Sequence, residues 1–223
     1  MHKALLELHK NKKVKTKEEL LGIISLNYDD VLDQAYKKYY GEPNYCFSLG
    51  EEGPSKNIPL LKLHGSFNWD KVKIRGRSKT IEIIPLGANK NYLHAPYNFI
   101  WSRAMEILTK CDILRIIGCS LSQNDLHLID LLFKAHLEKG DDILIEIIGR
   151  NSTGEEIQKN YGFFSGIKTL TQIGDHKAGY KGEVPLVSEP SPDNAFYTWL
   201  KYKADSMLKK NLKNTKYLKL LIQ

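Results

Sequence analysis

Polar and small residues directly follow four short apolar runs of this sequence, and their types could support chemistry. A histidine can move a proton near neutral pH, and a glycine next to a hydroxyl lets a phosphate or ribose approach the backbone closely. The candidates are Asn27 and Asp29, His64 and Ser66, Gly118 and Ser120, and Gly149 with Arg150 and Asn151.

Each of these signals has a structural alternative. Asn27 and Asp29 could simply cap a following helix, and a histidine after a strand is often a satisfied structural residue. A Gly-X-Ser turn is common between a strand and a helix. The functional interpretation therefore depends on finding these groups together, in order, along one sheet. Cys119 has no activating histidine close in sequence, which favours a small buried filler over a nucleophile.

The elements that must position these residues alternate along the chain. Apolar runs at 22–26, 59–63, 81–84, 113–117 and 143–148 read as strands, with Pro85 ending the third. Helical spacing appears between them, including a stripe of Leu126, Ile129, Phe133 and Leu137 that ends at Gly140. This alternation predicts an α/β fold with a mostly parallel sheet and helices on both faces. In such a sheet the ligand lies beyond the carboxyl ends of the strands.

The positive charge of the chain is concentrated at its end. The net charge is +7, and residues 201–223 contain seven lysines and one acidic residue, Asp205. Nucleic-acid binding by the body is therefore not favoured, whereas the tail could contact a nucleic acid or an acidic partner. Apolar residues recur about every four positions from Phe196 to Leu212, which predicts a basic amphipathic helix with solvated lysines. We predict a body over residues 1–170 and a loop with this helical appendage over 171–223.

Cysteine and histidine spacing gives no sign of a metal site. Cys46, Cys111 and Cys119 form no Cys-X-X-Cys pair, so we expect neither a disulfide framework nor bound zinc. No apolar stretch reaches the ~18 residues of a membrane span, and no secretion signal is legible after Met1. These features predict a cytoplasmic protein with no membrane partner.

Three of the motifs resemble those of sirtuins, and most closely those of bacterial sirtuin-like proteins. Ser25-Leu26-Asn27-Tyr28-Asp29 is similar to the Thr-Asn-Tyr-Asp motif of that group, and residues 62–66 read Lys-Leu-His-Gly-Ser as theirs do. Gly118-Cys119-Ser120-Leu121 resembles their Gly-Tyr-Ser-Leu segment. The resemblance covers the chain from about residue 20 to about residue 150.

The resemblance implies a Rossmann-like fold that binds NAD, and it implies roles for single residues. His64 would act as general base, and buried apolar neighbours would keep it neutral. Asn27 would orient the ribose or a water molecule. Asp29 would support the nicotinamide pocket, while Gly118 and Ser120 would hold the ribose-phosphate. The implied reaction is loss of nicotinamide through an oxocarbenium-like transition state.

The chain also departs from the family pattern in two places. Classical sirtuins have four zinc-binding cysteines between their second and third motifs, but no cysteine lies between residues 65 and 110 here. This departure argues against zinc-dependent deacetylation and favours the non-zinc NAD hydrolases of bacterial phage defence. The family's Gly-Ala-Gly-X-Ser phosphate loop is not found in the 26 residues before Asn27. The first βα unit, with its central strand, is therefore not found in this sequence. Three explanations stay open: the reading frame is truncated, a partner polypeptide supplies the unit, or the chain folds differently and has lost the activity.

Two functions remain open on the sequence. The first is an NAD⁺ glycohydrolase that produces nicotinamide and ADP-ribose in bacterial anti-phage defence. The second is an inactive sirtuin-like module that binds NAD, ADP-ribose or a protein partner, which could be a second copy of the chain.

Overall fold

A computed structural model describes ten stretches of the chain. They are residues 6, 19–48, 58–70, 72–74, 77–85, 92–122, 124–140, 143–148, 160–161 and 217–222. The strands are β1 (Glu19–Ser25), β2 (Leu60–Lys62), β3 (Val72–Ile74), β4 (Arg77–Lys79), β5 (Ile113–Ile117), β6 (Leu144–Ile148) and β7 (Tyr217–Ile222). The helices are α1 (Val31–Tyr40), α2 (Tyr97–Lys110) and α3 (Leu126–Lys139).

Five strands form one parallel sheet in the order β2-β1-β7-β5-β6. β3 and β4 form a separate antiparallel hairpin. Ile222 pairs with Ser25 on one side and with Ile117 on the other, so the carboxyl ends of β1, β7 and β5 reach the same edge. The predicted parallel sheet is thus confirmed, and the residues after β1, β2 and β5 share the edge where ligands bind in such sheets.

Apolar side chains alternate between the two faces of the sheet, and helices cover both faces. On one face, strand residues are buried together with residues of α1, and this set includes Ile23, Leu60, Ile113, Leu32 and Tyr36. On the other face, the neighbouring strand residues are buried with residues of α2 and α3. This second set includes Ile24, Leu61, Leu114, Ala104, Ile107, Leu128 and Leu132.

The start of α1 agrees with the sequence prediction, whereas the buried face of α3 differs from the apolar stripe noted in the sequence. Asp29 or Asp30 is expected to cap α1, and the Asp29 Oδ1 atom does accept from the Val31 N–H at 3.0 Å. On α3 three residues of the apolar stripe noted in the sequence, Leu126, Phe133 and Leu137, are exposed, and only the fourth, Ile129, packs against the core. The buried side of α3 instead carries Leu128, Leu131, Leu132 and Ala135. The segment contains two interleaved apolar stripes, so helical spacing alone could not choose between them.

The end of the chain differs most from its prediction. Residues 217–222, expected within a basic helical appendage, form the central strand β7. Their sequence, Tyr-Leu-Lys-Leu-Leu-Ile, is the nearly continuous apolar run typical of a strand inside a parallel sheet. The helix predicted over residues 196–212 lies outside the residues that the structure describes.

The third apolar run is not a strand of the sheet. Residues 81–84, which come after β4 in the chain, instead lie alongside the loop after β2. The Ile84 N–H donates to the His64 carbonyl at 2.8 Å, and the Ile81 N–H donates to the Trp69 carbonyl at 3.1 Å. This segment therefore supports the backbone of a candidate site residue.

Candidate functional site

The turn after β1 and the loop after β2 are bonded to each other. Ser25 and Lys62 are register partners, so Asn27 and His64 both lie two residues beyond the same paired position. The Leu63 N–H donates to the Ser25 carbonyl at 3.0 Å, and the Phe67 N–H donates to the Tyr28 carbonyl at 2.9 Å. The structure thus brings together two motifs that are almost forty residues apart in sequence.

The His64 imidazole is almost completely buried and faces a carboxylate. Its exposed fraction is 1%, and its Nε2 atom lies 3.4 Å from Oδ2 of Asp125, whose side chain is 13% exposed. The rings of Tyr28 and Trp101 lie near it, with centroids 6.2 and 6.5 Å from that of His64. A carboxylate in this position stabilises positive charge on an imidazole. This differs from the expectation from sequence, in which apolar neighbours surround His64.

Asp125 is the residue of this site to which sequence reasoning assigned no role. It follows the Gly-X-Ser segment and begins α3, where its Oδ1 atom accepts from the Leu128 N–H at 3.4 Å. An aspartate at the start of a helix is fully explained as a cap, so its second contact could not be inferred from its position in the sequence. Only the fold shows that the loop after β5 returns to His64.

The Asp125 carboxylate also affects the tyrosines around the site. Burial raises the pKa of the Tyr28 hydroxyl, and the Asp125 charge raises it further. The same two causes raise the pKa of Tyr92. The Tyr28 hydroxyl donates to the Ile84 carbonyl at 2.6 Å. Both phenols therefore stay neutral near pH 7, and the anion that faces His64 is Asp125.

Gly65 has a different role from the one its sequence indicates. The sequence suggests that the small residue leaves room for a bulky group beside His64. In the structure its φ is +91°, and a Cβ built there would lie 2.3 Å from the Tyr97 hydroxyl. The Tyr97 hydroxyl donates to the Glu82 carbonyl at 2.6 Å and lies 3.5 Å from the His64 carbonyl oxygen. Tyr97, and not a ligand, takes the space beside Gly65.

Gly118 and Ser120 lie at the same edge but farther along the sheet. Both are exposed, and Gly118 has a φ of +66°. Because β7 separates β5 from β1, they are two strand spacings, or roughly 10 Å, from the end of β1. Cys119 between them is buried, and burial raises the pKa of its thiol, which fits a filler and not a nucleophile.

A cavity of about 570 Å³ lies beside this site and is lined by none of the predicted site residues. Ile84 and Tyr97, which contact the His64 backbone, form part of its wall. Gly149, Arg150 and Asn151 lie outside the described residues. Within the described part of the chain, no cluster of three or more His, Cys, Asp or Glu could hold a metal ion, and no helix is long and apolar enough to cross a membrane.

Comparison with known proteins assigns the fold to a family. The chain matches the family model described as a SIR2-like domain over residues 21–153, which is more than half of its length. The match contains the Asn27 turn, the His64 loop, and the β5–α3 segment with Gly118, Ser120 and Asp125. No curated protein matches the chain. With the three motifs gathered at one edge of a parallel sheet, the chain belongs to the SIR2-like domain family.

Proposed function

We propose that this chain hydrolyses NAD⁺ to nicotinamide and ADP-ribose. The observation that carries the proposal is the contact between the buried His64 and the partly buried Asp125, with 3.4 Å from Nε2 to Oδ2, next to the turn that bears Asn27. The SIR2-like family supports NAD as the ligand. The resemblance to bacterial defence-type hydrolases makes phage infection the setting in which we propose that the activity operates.

Hydrolysis breaks the bond between C1′ of the ribose and the ring nitrogen of nicotinamide, and nicotinamide leaves with the bonding electrons. A water molecule supplies the new oxygen on C1′ and loses a proton. His64 would take up that proton as general base. The Asp125 carboxylate would stabilise the resulting imidazolium and hold the ring in place. The Asn27 amide would orient the ribose or the water.

The rest of the edge suits the remainder of a dinucleotide. Gly118 and Ser120 are exposed at the end of β5, where backbone and hydroxyl groups can approach a ribose-phosphate. Phe67 is 68% exposed and its ring lies 5.7 Å from that of Tyr28, so an aromatic surface is open beside the site. Asp29, whose side chain accepts a hydrogen bond from the Val31 N–H, would support the turn around the nicotinamide.

Nicotinamide release from NAD⁺ by the purified chain tests the proposal. We expect release by the wild type and a loss of at least about 100-fold in kcat for His64→Ala, the size of a general-base contribution. His94→Ala is the matched control, because His94 is exposed and lines the separate cavity. Equal release by wild type and His64→Ala would contradict the assignment of His64.

Binding without turnover is the second candidate, and the burial of His64 favours it, since a 1% exposed ring is poorly placed to meet a substrate. Calorimetric titration with ADP-ribose separates the two. Binding of ADP-ribose with no nicotinamide release in any condition would establish a binding module instead of a hydrolase.

A further inference from the structure

Lys62 is a buried cation that the reaction described above does not use. It ends β2, two residues before His64, and its side chain is 0% exposed. Its Nζ atom lies 3.0 Å from Oδ2 of Asp33 and also donates to the Asp29 carbonyl and the Ser66 hydroxyl. An ammonium group has three N–H donors, so these three acceptors use its full capacity.

The acceptors belong to the segments that carry the candidate site. Asp29 is in the turn with Asn27, and Ser66 is in the loop with His64. The Ser66 hydroxyl in turn donates to the Tyr28 carbonyl at 3.1 Å. Lys62 therefore contacts the turn both directly, through Asp29, and indirectly, through Ser66.

Asp33, on α1, is the acidic partner of the Lys62 ammonium group. It is in the first turn of that helix, where the helix dipole favours a carboxylate, and its side chain is 1% exposed. Its Oδ1 atom accepts from the Tyr45 hydroxyl, and both burial and the Asp33 charge raise the pKa of that phenol. The network thus joins α1, the loop before β2, and both site loops.

A buried ion pair of this kind is not explained by stability. Removing two charges from water offsets most of their attraction, and apolar residues of similar volume often stabilise a protein as well or better. Fixing the relative position of two loops is a different benefit, because a shift of about 1 Å at a reacting group can reduce a rate about 100-fold.

We propose that Lys62 is a positioning residue, whose ammonium group holds the Asn27 turn against the His64 loop in the geometry that the reaction needs. The proposal rests on the proposed function. It predicts that Lys62 affects turnover much more than ligand binding.

The main test is the double variant Lys62→Met/Asp33→Asn, which removes both charges so that neither is left buried alone. We expect kcat for nicotinamide release to fall about 100-fold while KM and the affinity for ADP-ribose change less than about threefold. Asp130→Asn/Lys134→Met is the matched control, because it removes an exposed Lys–Asp pair 2.7 Å apart on α3. An unchanged kcat, or an equal loss of ADP-ribose affinity, overturns the proposal.

Ser66→Ala provides a second variant that leaves both charges in place and removes the hydroxyl through which Lys62 contacts the Tyr28 carbonyl, together with its two hydrogen bonds. If the double variant does not fold, a fall in kcat at constant KM for Ser66→Ala supports the proposal, and an unchanged kcat overturns it.

Hydrogen exchange separates this proposal from the proposed function. The Leu63 and Phe67 amides donate from the His64 loop to the Ser25 and Tyr28 carbonyls. We expect their protection to fall at least about tenfold in the variants while that of β5 is kept, whether or not the wild type releases nicotinamide. A wild type that releases no nicotinamide would contradict only the hydrolase proposal. Unchanged protection of both amides in the variants would contradict the positioning proposal.

Discussion

The Nε2 atom of His64 lies 3.4 Å from Oδ2 of Asp125, and the other oxygen of the same carboxylate accepts from the Leu128 N–H at 3.4 Å. One side chain therefore begins α3 and faces the imidazole. The hydrogen bond from the Leu128 N–H limits how far that carboxylate can move. A positive charge that develops on His64 would meet a negative charge already fixed by the fold.

Asp125→Asn is expected to lower kcat for nicotinamide release about 100-fold with little effect on folding. Asparagine caps a helix as well as aspartate does, so the substitution removes the charge and keeps the cap. The measurement pairs steady-state kinetics with thermal unfolding.

Two further variants serve as controls for this result. Asp130→Asn removes a carboxylate from the exposed side of α3 and should leave kcat unchanged. Asp125→Ala should lower both kcat and the melting temperature, because the helix cap is lost together with the charge. We expect loss of the cap to lower the free energy of unfolding by about 1 kcal/mol. If Asp125→Asn turned over NAD⁺ at the wild-type rate, Asp125 would be a cap and nothing more.

Gly65→Ala should destabilise the chain more than Gly140→Ala does. Both glycines have positive φ, +91° and +67°, so alanine at either position meets a backbone penalty of about 1–2 kcal/mol. Only at Gly65 would the new Cβ also meet the Tyr97 hydroxyl, at 2.3 Å, whereas nothing lies within 4 Å at Gly140. We expect an additional loss of about 1–3 kcal/mol in the free energy of unfolding, measured by urea denaturation. Equal losses for the two variants would show that Tyr97 moves away freely.

Much of the site edge could be predicted from the sequence, because parallel strands place the residues that follow them along one edge. The positions of Asn27, His64 and Gly118 follow from that rule alone. The His64–Asp125 contact does not, since it depends on how the loop after β5 returns across the sheet. Nor could the sequence show that Tyr97 occupies the space beside Gly65.

The position of β7 in the sheet could not be predicted from the sequence, for a different reason. Composition identifies a lysine-rich end of the chain, but pairing between residues almost two hundred positions apart leaves no local signal. The apolar run of residues 217–222 is compatible with a short strand or with the end of a helix, and periodicity cannot distinguish the two over six residues.

Alkaline pH should unfold the chain by ionising its buried tyrosines. Burial raises the pKa of Tyr40 to about 12, and it also raises the pKa of Tyr36 on the same helix. An unfolded chain loses these protons near pH 10, whereas the folded chain keeps them. The contribution of these tyrosines to the free energy of unfolding should therefore be constant below pH 10 and fall as the pH rises toward 12.

Absorbance at 295 nm and far-UV circular dichroism, recorded in the same titration, check this expectation. Ionisation of the buried tyrosines should coincide with loss of helical signal, and Tyr40→Phe should move the midpoint to higher pH. Ionisation of every tyrosine near pH 10 with the helical signal intact would contradict it.

Leu220→Pro tests the central place of β7 in the sheet. Leu220 pairs with Ile23 of β1 and with Arg115 of β5, so the strand is bonded on both sides. Proline has no N–H to donate and is found in sheets almost only at edges, so we expect the free energy of unfolding to fall by about 2–4 kcal/mol. Ser78→Pro is the control, because Ser78 lies in the exposed strand β4 of the two-stranded hairpin and the substitution should alter that hairpin only locally. Urea denaturation measures both variants. If Leu220→Pro were as stable as the wild type, residues 217–222 could not be the strand that joins the two halves of the sheet.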